Sequence, residues 1–170
     1  MTDIPYPDQA VGADTAVIEL PFGRMELRCD ANRVLHLAYV AADTPLTEPV
    51  TRMSRAVADQ LRAYCADPRH RFDLPLAAAG TAFQNRVWAL LRDIPAGTTL
   101  SYGEAATRLG SAARAVGQAC AANPFAPIVP CHRIVARDGL GGFAHSTRPD
   151  GYLLHVKRWL LRHEGVAGGR

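Results

Sequence analysis

The chain has 170 residues, of which 48% are hydrophobic and 21% charged, the balance of a soluble globular protein with one large or two small domains. No apolar stretch approaches the roughly 20 residues of a transmembrane helix, no secretory-type segment opens the chain, and the 4 cysteines show neither Cys-x-x-Cys nor zinc-ligand spacing. These features argue against a disordered or membrane protein and predict a cytoplasmic protein with free thiols, no metal and no cofactor.

The formal net charge of +3 is divided unevenly along the chain. Residues 1–80 carry 8 Arg and 11 acidic residues, whereas residues 81–170 carry 10 Arg, 1 Lys and 5 acidic residues, so the two parts are −3 and +6. This asymmetry fits a second part that meets a polyanion such as nucleic acid, and charged solvent-facing surfaces produce similar imbalances by chance.

The first part of the chain predicts a small α+β unit. After a polar, proline-containing leader through Asp14, three segments alternate apolar and polar residues, as in an antiparallel meander: Ala16 to Leu20, Met25 to Cys29 and Val34 to Val40. Apolar residues then recur at helical spacing from Val50 to Tyr64, and residues 72–76 read as a short strand.

Residues 77–80 lack bulky side chains and precede a strong helix start, so we place a domain boundary there. The prediction is an N-terminal α+β domain with an antiparallel sheet over residues 1–79 and a mainly helical domain over residues 80–170. In the second domain, Thr81 with Gln84 and Ser101 with Glu104 have the spacing of capping boxes, which predicts a helix start at each pair.

The helix that begins after Ser101 is expected to end near Gly110, and Ser111 is the predicted cap of a third helix that runs towards Asn123. Two short helices joined across a glycine make a helix-turn-helix candidate. A plain helical hairpin fits the same spacing at least as well.

The segment Pro130-Cys131-His132-Arg133 places a thiol beside an imidazole within an apolar run. A nucleophilic cysteine needs a neighbouring base or cation, because a free thiol is mostly protonated at neutral pH. On an extended segment, Cys131 and His132 point to opposite faces, so they are not expected to touch unless the backbone turns, and a bridging water would close the gap. The alternative is a small buried thiol without chemistry.

A helix predicted from Leu153 to Glu164 places Val156, Leu160 and Glu164 on one stripe. A carboxylate that continues an apolar stripe needs a partner, and it could orient an imidazole such as that of His132. A frayed helix end with the acid in water explains the same spacing, and helix geometry alone slightly favours this alternative.

A family resemblance is carried by a series of motifs in the second part of the chain. In order, they are Gly80-Thr81-x-Phe83-Gln84, Val87-Trp88, Ile94-Pro95-x-Gly97, Ser101-Tyr102-Gly103-Glu104, Ala113-Arg114-Ala115-Val116-Gly117, Asn123-Pro124, Pro130-Cys131-His132-Arg133 and Lys157-x-Trp159-Leu160-Leu161-x-His163-Glu164. Together they closely resemble the O6-alkylguanine-DNA alkyltransferases, whose first domain the N-terminal part resembles only in size and strand content.

The resemblance implies direct-reversal DNA repair without a cofactor. A cysteine takes the alkyl group from O6 of guanine in one irreversible SN2 step and keeps it as a thioether. By this resemblance Cys131 is the nucleophile, His132 accepts its proton through a water, and Glu164 supports the imidazole.

The resemblance also implies residues that bind the substrate. Tyr102 would place its phenol against the flipped guanine, Asn123 would brace the loop near the cysteine, and backbone groups at the cysteine, Ile134 and Ala144 would read the base edge. Lys157 matches a family lysine near the cysteine, with a surface amine as the alternative.

The implied partner is double-stranded DNA that carries O6-alkylguanine, bound by a monomer through the minor groove. Arg114 matches the arginine that fills the space of the extruded base, and it lies in the first turn of the predicted third helix. Several small residues on that helix suit close approach to DNA without reading its sequence: Ala112, Ala113, Ala115, Gly117 and Ala119.

Three features depart from the family pattern. The turn from Gly110 to Ala113 is short, Phe143-Ala144 stands where a Tyr-Ser pair is common, and residues 145–151 form an apparent insertion that predicts a solvated loop beside the pocket. The preferred alkyl group is therefore left open.

Two other functions fit part of the pattern. One is a non-catalytic binder that flags alkylated DNA for other repair, against which Cys131 argues. The other is a Cys-His hydrolase without a DNA partner, which leaves Arg114 and the charge asymmetry unexplained.

Overall fold

The first part of the chain forms a three-stranded antiparallel sheet. The computed structural model describes residues 12–148 and 150–166, so most of the predicted leader lies outside the described residues. The strands β1 (Asp14–Leu20), β2 (Gly23–Cys29) and β3 (Val34–Val40) lie in the order β1-β2-β3. The predicted meander is confirmed, with β1 and β2 each beginning two residues earlier than expected.

Helix α1 (Arg52–Ala66) packs against all three strands of this sheet. It begins after a capping box of Thr51 and Ser54, and the Asp14 carboxylate of β1 accepts hydrogen bonds from both residues. The prediction that the helical stripe starts at Val50 is wrong, because Val50 precedes the cap and its exposed fraction is 63%.

The predicted strand over residues 72–76 does not form. Leu76 alone makes an isolated parallel bridge with Val34, the first residue of β3. The backbone N–H of Val34 donates to the carbonyl oxygen of Pro75, and proline has no N–H with which to extend the ladder.

The described residues of the second part form four α-helices: α2 (Ala82–Asp93), α3 (Tyr102–Leu109), α4 (Ala113–Ala121) and α5 (Tyr152–His163). Two short strands, β4 (Leu100–Ser101) and β5 (Ile134–Val135), pair in parallel and were not predicted. Both capping boxes predicted in this part are confirmed, since each side chain accepts the expected backbone hydrogen bond. The α+β class follows from these elements.

Helices α3 and α4 pack against each other across a short turn. Gly110 ends α3 in the left-handed conformation, with a φ of 61°, as expected for a glycine at this position. Ser111 is not the cap of α4, which is a correction of the prediction. Its N–H donates to the carbonyl oxygen of Ala106 and thereby closes α3, so Ala112 takes the cap position of α4 without a side-chain hydrogen bond.

The two parts of the described chain share one hydrophobic core. The ring of Phe22 packs on Trp159 with centroids 5.3 Å apart, and the Arg24 N–H donates to the Tyr152 hydroxyl oxygen over 3.1 Å. The division into domains at residues 79 and 80 stays a prediction. Within the described residues, no helix combines the length and apolar character needed to cross a membrane.

Candidate active site

The backbone turns at Cys131, contrary to the extended segment considered in the sequence analysis. Residues Cys131–Arg133 form one turn of 3-10 helix, closed by a hydrogen bond from the Ile134 N–H to the Cys131 carbonyl oxygen. Asn123 braces the approach to this turn, because its side-chain amide donates to the Val129 carbonyl oxygen over 2.7 Å. The thiol and the imidazole are therefore presented from a tight turn.

A buried network surrounds the carboxylate of Glu164 at the C-terminal end of α5. One carboxylate oxygen, Oε1, lies 2.9 Å from His132 Nε2 and 2.8 Å from Arg133 Nη2, and it accepts a hydrogen bond of 2.8 Å from the Tyr64 hydroxyl. The other oxygen, Oε2, accepts from Arg133 Nε over 3.0 Å. Glu164 thus has partners instead of the frayed, solvated end that helix geometry alone slightly favoured.

The charges in this network shift the titration of its members. Burial would raise the pKa of Glu164, but the hydrogen bonds from His132 and Arg133 hold it well below its usual range. Burial lowers the pKa of His132 against the opposing effect of Glu164. The network therefore contains an ionised carboxylate beside a neutral imidazole at pH 7.

The tautomer of His132 follows from this contact. Because Nε2 faces an ionised carboxylate, Nε2 carries the ring proton and Nδ1 keeps its lone pair. Within the part of the chain that the structure describes, His132 Nδ1 is buried and has no hydrogen-bond partner. A proton can therefore be taken up at Nδ1 while Glu164 stabilises the resulting imidazolium.

Burial also raises the pKa of the Cys131 thiol, whose exposed fraction is 6%. A hydrogen bond with Asn123 and the charge of Lys157 act in the opposite direction. A thiol in this environment needs a base to become a thiolate. The adjacent residue, His132, offers its unprotonated Nδ1 as that base.

Cys131 lies in the wall of a cavity of about 690 Å³. Four of the residues predicted to form the substrate site line the same cavity: Tyr102, Arg114, Phe143 and Ala144. Arg114 is exposed in the first turn of α4. The volume is that of a site for a small molecule or a single base.

One wall of the cavity contains small residues of α4 together with a second cysteine. Ala113, Gly117 and Ala121 line it beside Cys120, which the sequence did not single out. Burial raises the pKa of Cys120, and no imidazole adjoins it in sequence, unlike Cys131.

Another part of the cavity wall is a turn at residues 143–146. Phe143 and Ser146 exchange two backbone hydrogen bonds of 2.8 Å each, and the two residues between them have positive φ, 45° at Ala144 and 67° at His145. His145 and Thr147 are exposed while they line the cavity. The predicted solvated loop beside the pocket is thus observed at these residues.

Lys157 is buried beneath this wall, so the surface amine considered as an alternative is wrong. Its Nζ donates to the carbonyl oxygens of Ile134, Leu140 and Gly142 over 2.7, 2.6 and 3.0 Å. Burial lowers the pKa of Lys157 to about 8, so the ammonium form still predominates at neutral pH. The Tyr102 hydroxyl donates to the same Gly142 oxygen over 3.1 Å.

Three of the residues predicted to bind the substrate do not line the cavity: Asn123, Ile134 and Lys157. The predicted catalytic residues His132 and Glu164 lie outside its lining as well. Both backbone polar groups of Ile134 are engaged, the N–H with Cys131 and the carbonyl oxygen with Lys157. Two members of the network, Tyr64 and Arg133, were given no role in the sequence analysis. Tyr64 ends the apolar stripe of a helix, and a buried tyrosine needs a partner for its hydroxyl. This feature of the sequence could have marked Tyr64 as a residue with a polar contact.

Comparison with known proteins assigns the family. Residues 82–166 match the model of the DNA binding domain of 6-O-methylguanine DNA methyltransferase. Over 158 residues the chain is 37% identical to the methylated-DNA–protein-cysteine methyltransferase of Methanosarcina acetivorans, covering 88% of this chain and 97% of the relative. The chain belongs to the 6-O-methylguanine DNA methyltransferase family.

Two further relatives agree with this assignment. The corresponding methyltransferase of Shigella flexneri is 45% identical over 113 residues, which span 64% of this chain and 62% of the relative. A crystal structure of Mycobacterium tuberculosis OGT in complex with DNA superposes with a TM-score of 0.71 at 37% identity, covering 89% of this chain and 92% of the other.

The residues that match the methyltransferase family model include helices α2 to α5 and every residue that lines the cavity. It also contains His132, Arg133 and Glu164. Tyr64 lies outside it, in the part of the chain that forms the sheet and α1.

Proposed function

We propose that this protein repairs O6-alkylguanine in DNA by direct reversal, through irreversible transfer of the alkyl group to Cys131 Sγ. One observation carries the proposal: a buried thiol lines a base-sized cavity, and the next residue is a neutral histidine held by an ionised carboxylate. The family assignment and the relatives named methylated-DNA–protein-cysteine methyltransferase support the same activity.

The chemistry needs a thiolate and a leaving group that is stabilised. His132 Nδ1 takes the Cys131 proton through a water, and Glu164 stabilises the imidazolium. Cys131 Sγ then bonds to the alkyl carbon while the bond between that carbon and O6 breaks, and the electron pair of that bond remains on guanine. The Tyr102 hydroxyl, which donates to the Gly142 carbonyl oxygen in this structure, turns to donate its hydrogen bond to the departing guanine. The proton that left Cys131 passes from His132 through solvent to the guanine anion, so that the products are a thioether and neutral guanine.

A guanine stacked in a duplex cannot reach a buried thiol, so the base must leave the stack. Arg114 is exposed at the rim of the cavity and enters the space that the base vacates. Helices α3 and α4 act as a helix-turn-helix, with the small residues of α4 lying in the minor groove. The M. tuberculosis relative in complex with DNA supports DNA as the partner.

The remaining site residues shape the cavity. Asn123 fixes the segment before Cys131, Lys157 holds the carbonyls of Leu140 and Gly142, and the backbone at Ala144 contacts the base edge beside Phe143. The predicted base contact of Ile134 is not part of this proposal, because its backbone N–H and carbonyl oxygen are already bonded to Cys131 and Lys157. We assign these roles to a monomeric, cytoplasmic protein with an N-terminal domain over residues 1–79 and a catalytic domain over residues 80–170.

The test is the mass of the intact protein after exposure to an oligonucleotide that contains O6-methylguanine. We expect a gain of one methyl group per molecule, located at Cys131 by peptide mapping, and no gain for Cys131→Ser. Cys120→Ser is the matched control, because Cys120 lines the same cavity and should leave transfer intact. Repeated turnover would indicate a hydrolase, and binding without any mass change would indicate a non-catalytic lesion binder.

A further inference from the structure

Helix α1 reaches the His132–Glu164 pair through Tyr64. The Tyr64 hydroxyl donates to Glu164 Oε1 over 2.8 Å, across 100 residues of sequence. Only 2% of Tyr64 is exposed, and its ring contacts Phe72 and His163 with centroids 5.5 and 5.3 Å away. The hydroxyl is therefore held against the carboxylate by packing on both sides.

The oxygen that Tyr64 contacts is the same one that faces His132. Burial and the Glu164 carboxylate raise the pKa of Tyr64, so its hydroxyl stays protonated and remains a donor. A donor on a carboxylate oxygen stabilises the ionised form and makes that oxygen a weaker acceptor for its other partners. Tyr64 and His132 thus compete for the electron density of Glu164 Oε1.

We infer that Tyr64 is a positioning residue for alkyl transfer, which fixes the Glu164 carboxylate and sets how strongly this carboxylate supports a proton on His132. The inference rests on the proposed function. It makes the N-terminal part of the chain a component of the proton-transfer network, although Tyr64 does not line the cavity that holds Cys131.

The effect of removing the hydroxyl follows from this competition. In Tyr64→Phe, Glu164 Oε1 has one donor fewer, so it binds the His132 imidazolium more strongly and His132 titrates at a higher pH. Transfer requires neutral His132. The acid limb of the pH–rate profile, where the rate falls as His132 becomes protonated, should therefore move to higher pH by about 0.5 to 1 unit. At a given pH on this limb, the variant should react roughly 3- to 10-fold more slowly than the wild-type protein.

Other charged and titratable groups act on the same residues and are retained in the variant. Arg133 and Lys157 lower the pKa of His132, and Cys65 and Arg133 act on Tyr64. Nε2 of His163 lies 2.6 Å from the Tyr64 carbonyl oxygen, a contact with the main chain that phenylalanine preserves. A change in the pH profile of Tyr64→Phe would therefore originate in the hydroxyl.

Tyr152→Phe is the matched control. The Tyr152 hydroxyl also links the two parts of the chain, since it accepts from the Arg24 N–H, but it lies at the opposite end of α5 from Glu164. The experiment measures single-turnover methyl transfer from an O6-methylguanine oligonucleotide to the full-length protein between about pH 5.5 and 9. We expect the shift in Tyr64→Phe and the wild-type profile in Tyr152→Phe.

Each outcome separates this inference from the proposed function. If wild-type protein takes up no methyl group, the proposed function fails. If wild-type protein reacts and Tyr64→Phe loses only melting temperature, or slows by one factor at every pH, Tyr64 is merely structural and the inference is overturned. Alkylation of Cys131 by iodoacetamide over the same pH range repeats the comparison without DNA, so a defect in DNA binding cannot mimic the shift.

Discussion

Replacing Lys157 by methionine should destabilise the protein by removing the donor shared by three carbonyl oxygens. The Ile134 oxygen belongs to a buried residue, whereas Leu140 and Gly142 are partly exposed and water can replace the ammonium there. An unsatisfied buried acceptor costs about 1–3 kcal/mol. The variant also avoids burying the ammonium, which offsets part of this loss, so we expect the free energy of unfolding to fall by about 2 kcal/mol.

Urea unfolding followed by tryptophan fluorescence measures this difference. Arg162→Met on the same helix is the control, because Arg162 is exposed and a surface substitution of this kind changes stability by about 0.5 kcal/mol or less. The Lys157 variant should also transfer methyl groups more slowly at a temperature where both proteins are folded, since Lys157 holds the carbonyl of Gly142, which lines the cavity. A loss no larger than that of Arg162→Met would show that other groups hold the three carbonyls.

Four further predictions concern the site and its surroundings. Glu164→Gln should slow methyl transfer by about 10²- to 10⁴-fold in single-turnover assays while DNA affinity stays nearly unchanged; equal losses would mean that Glu164 serves folding or docking. The free energy of unfolding should decrease as the pH falls below 6.5, the ordinary pKa of histidine, because the unfolded chain binds a proton that folded His132 resists. In His132→Asn, the free energy of unfolding, measured by denaturation at several pH values, should change less over this pH range. Arg114→Ala should lose more activity on duplex than on single-stranded substrate, since extrusion costs a few kcal/mol only in a paired stack, and a uniform loss would instead indicate a phosphate contact. Shortening residues 145–151 to a glycine-rich link should alter the relative rates on methylated and bulkier lesions with little change in melting temperature, whereas a large stability loss with unchanged preference would mark a structural loop.

The elements that could be predicted are those with signals in their own residues. The three alternating segments predicted β1, β2 and β3, and two capping boxes predicted the starts of α2 and α3. The errors occurred where a distant residue decides the outcome. The start of α1 depends on Asp14 in β1, which binds the Thr51–Ser54 capping box from the neighbouring strand.

The role of Glu164 shows the same limit at the site. Its position on an apolar stripe fitted both a paired carboxylate and a frayed end, because helix periodicity says nothing about what lies opposite the stripe. Tyr64 and Arg133 decide the question in the fold by donating to this carboxylate from α1 and from the turn after Cys131. The partners of a buried charge are a property of the tertiary structure and cannot be derived from the periodicity of one helix. The sequence motifs identified Glu164, and its contacts in the fold explain why it is ionised.

The turn at the cavity wall could not be predicted from its own residues at all. Two-residue loops with positive φ at both positions are usually signalled by Asn-Gly or a similar pair, whereas Ala144 and His145 occupy them here, at a cost of roughly 1–2 kcal/mol per residue. The conformation persists because Phe143 and Ser146 exchange two backbone hydrogen bonds and because Lys157 holds the carbonyls just before the turn. Strained backbone of this kind survives only where its surroundings over-determine it. The shape of this part of the cavity wall thus depends on α5, which follows the turn in sequence and holds the segment before it through Lys157.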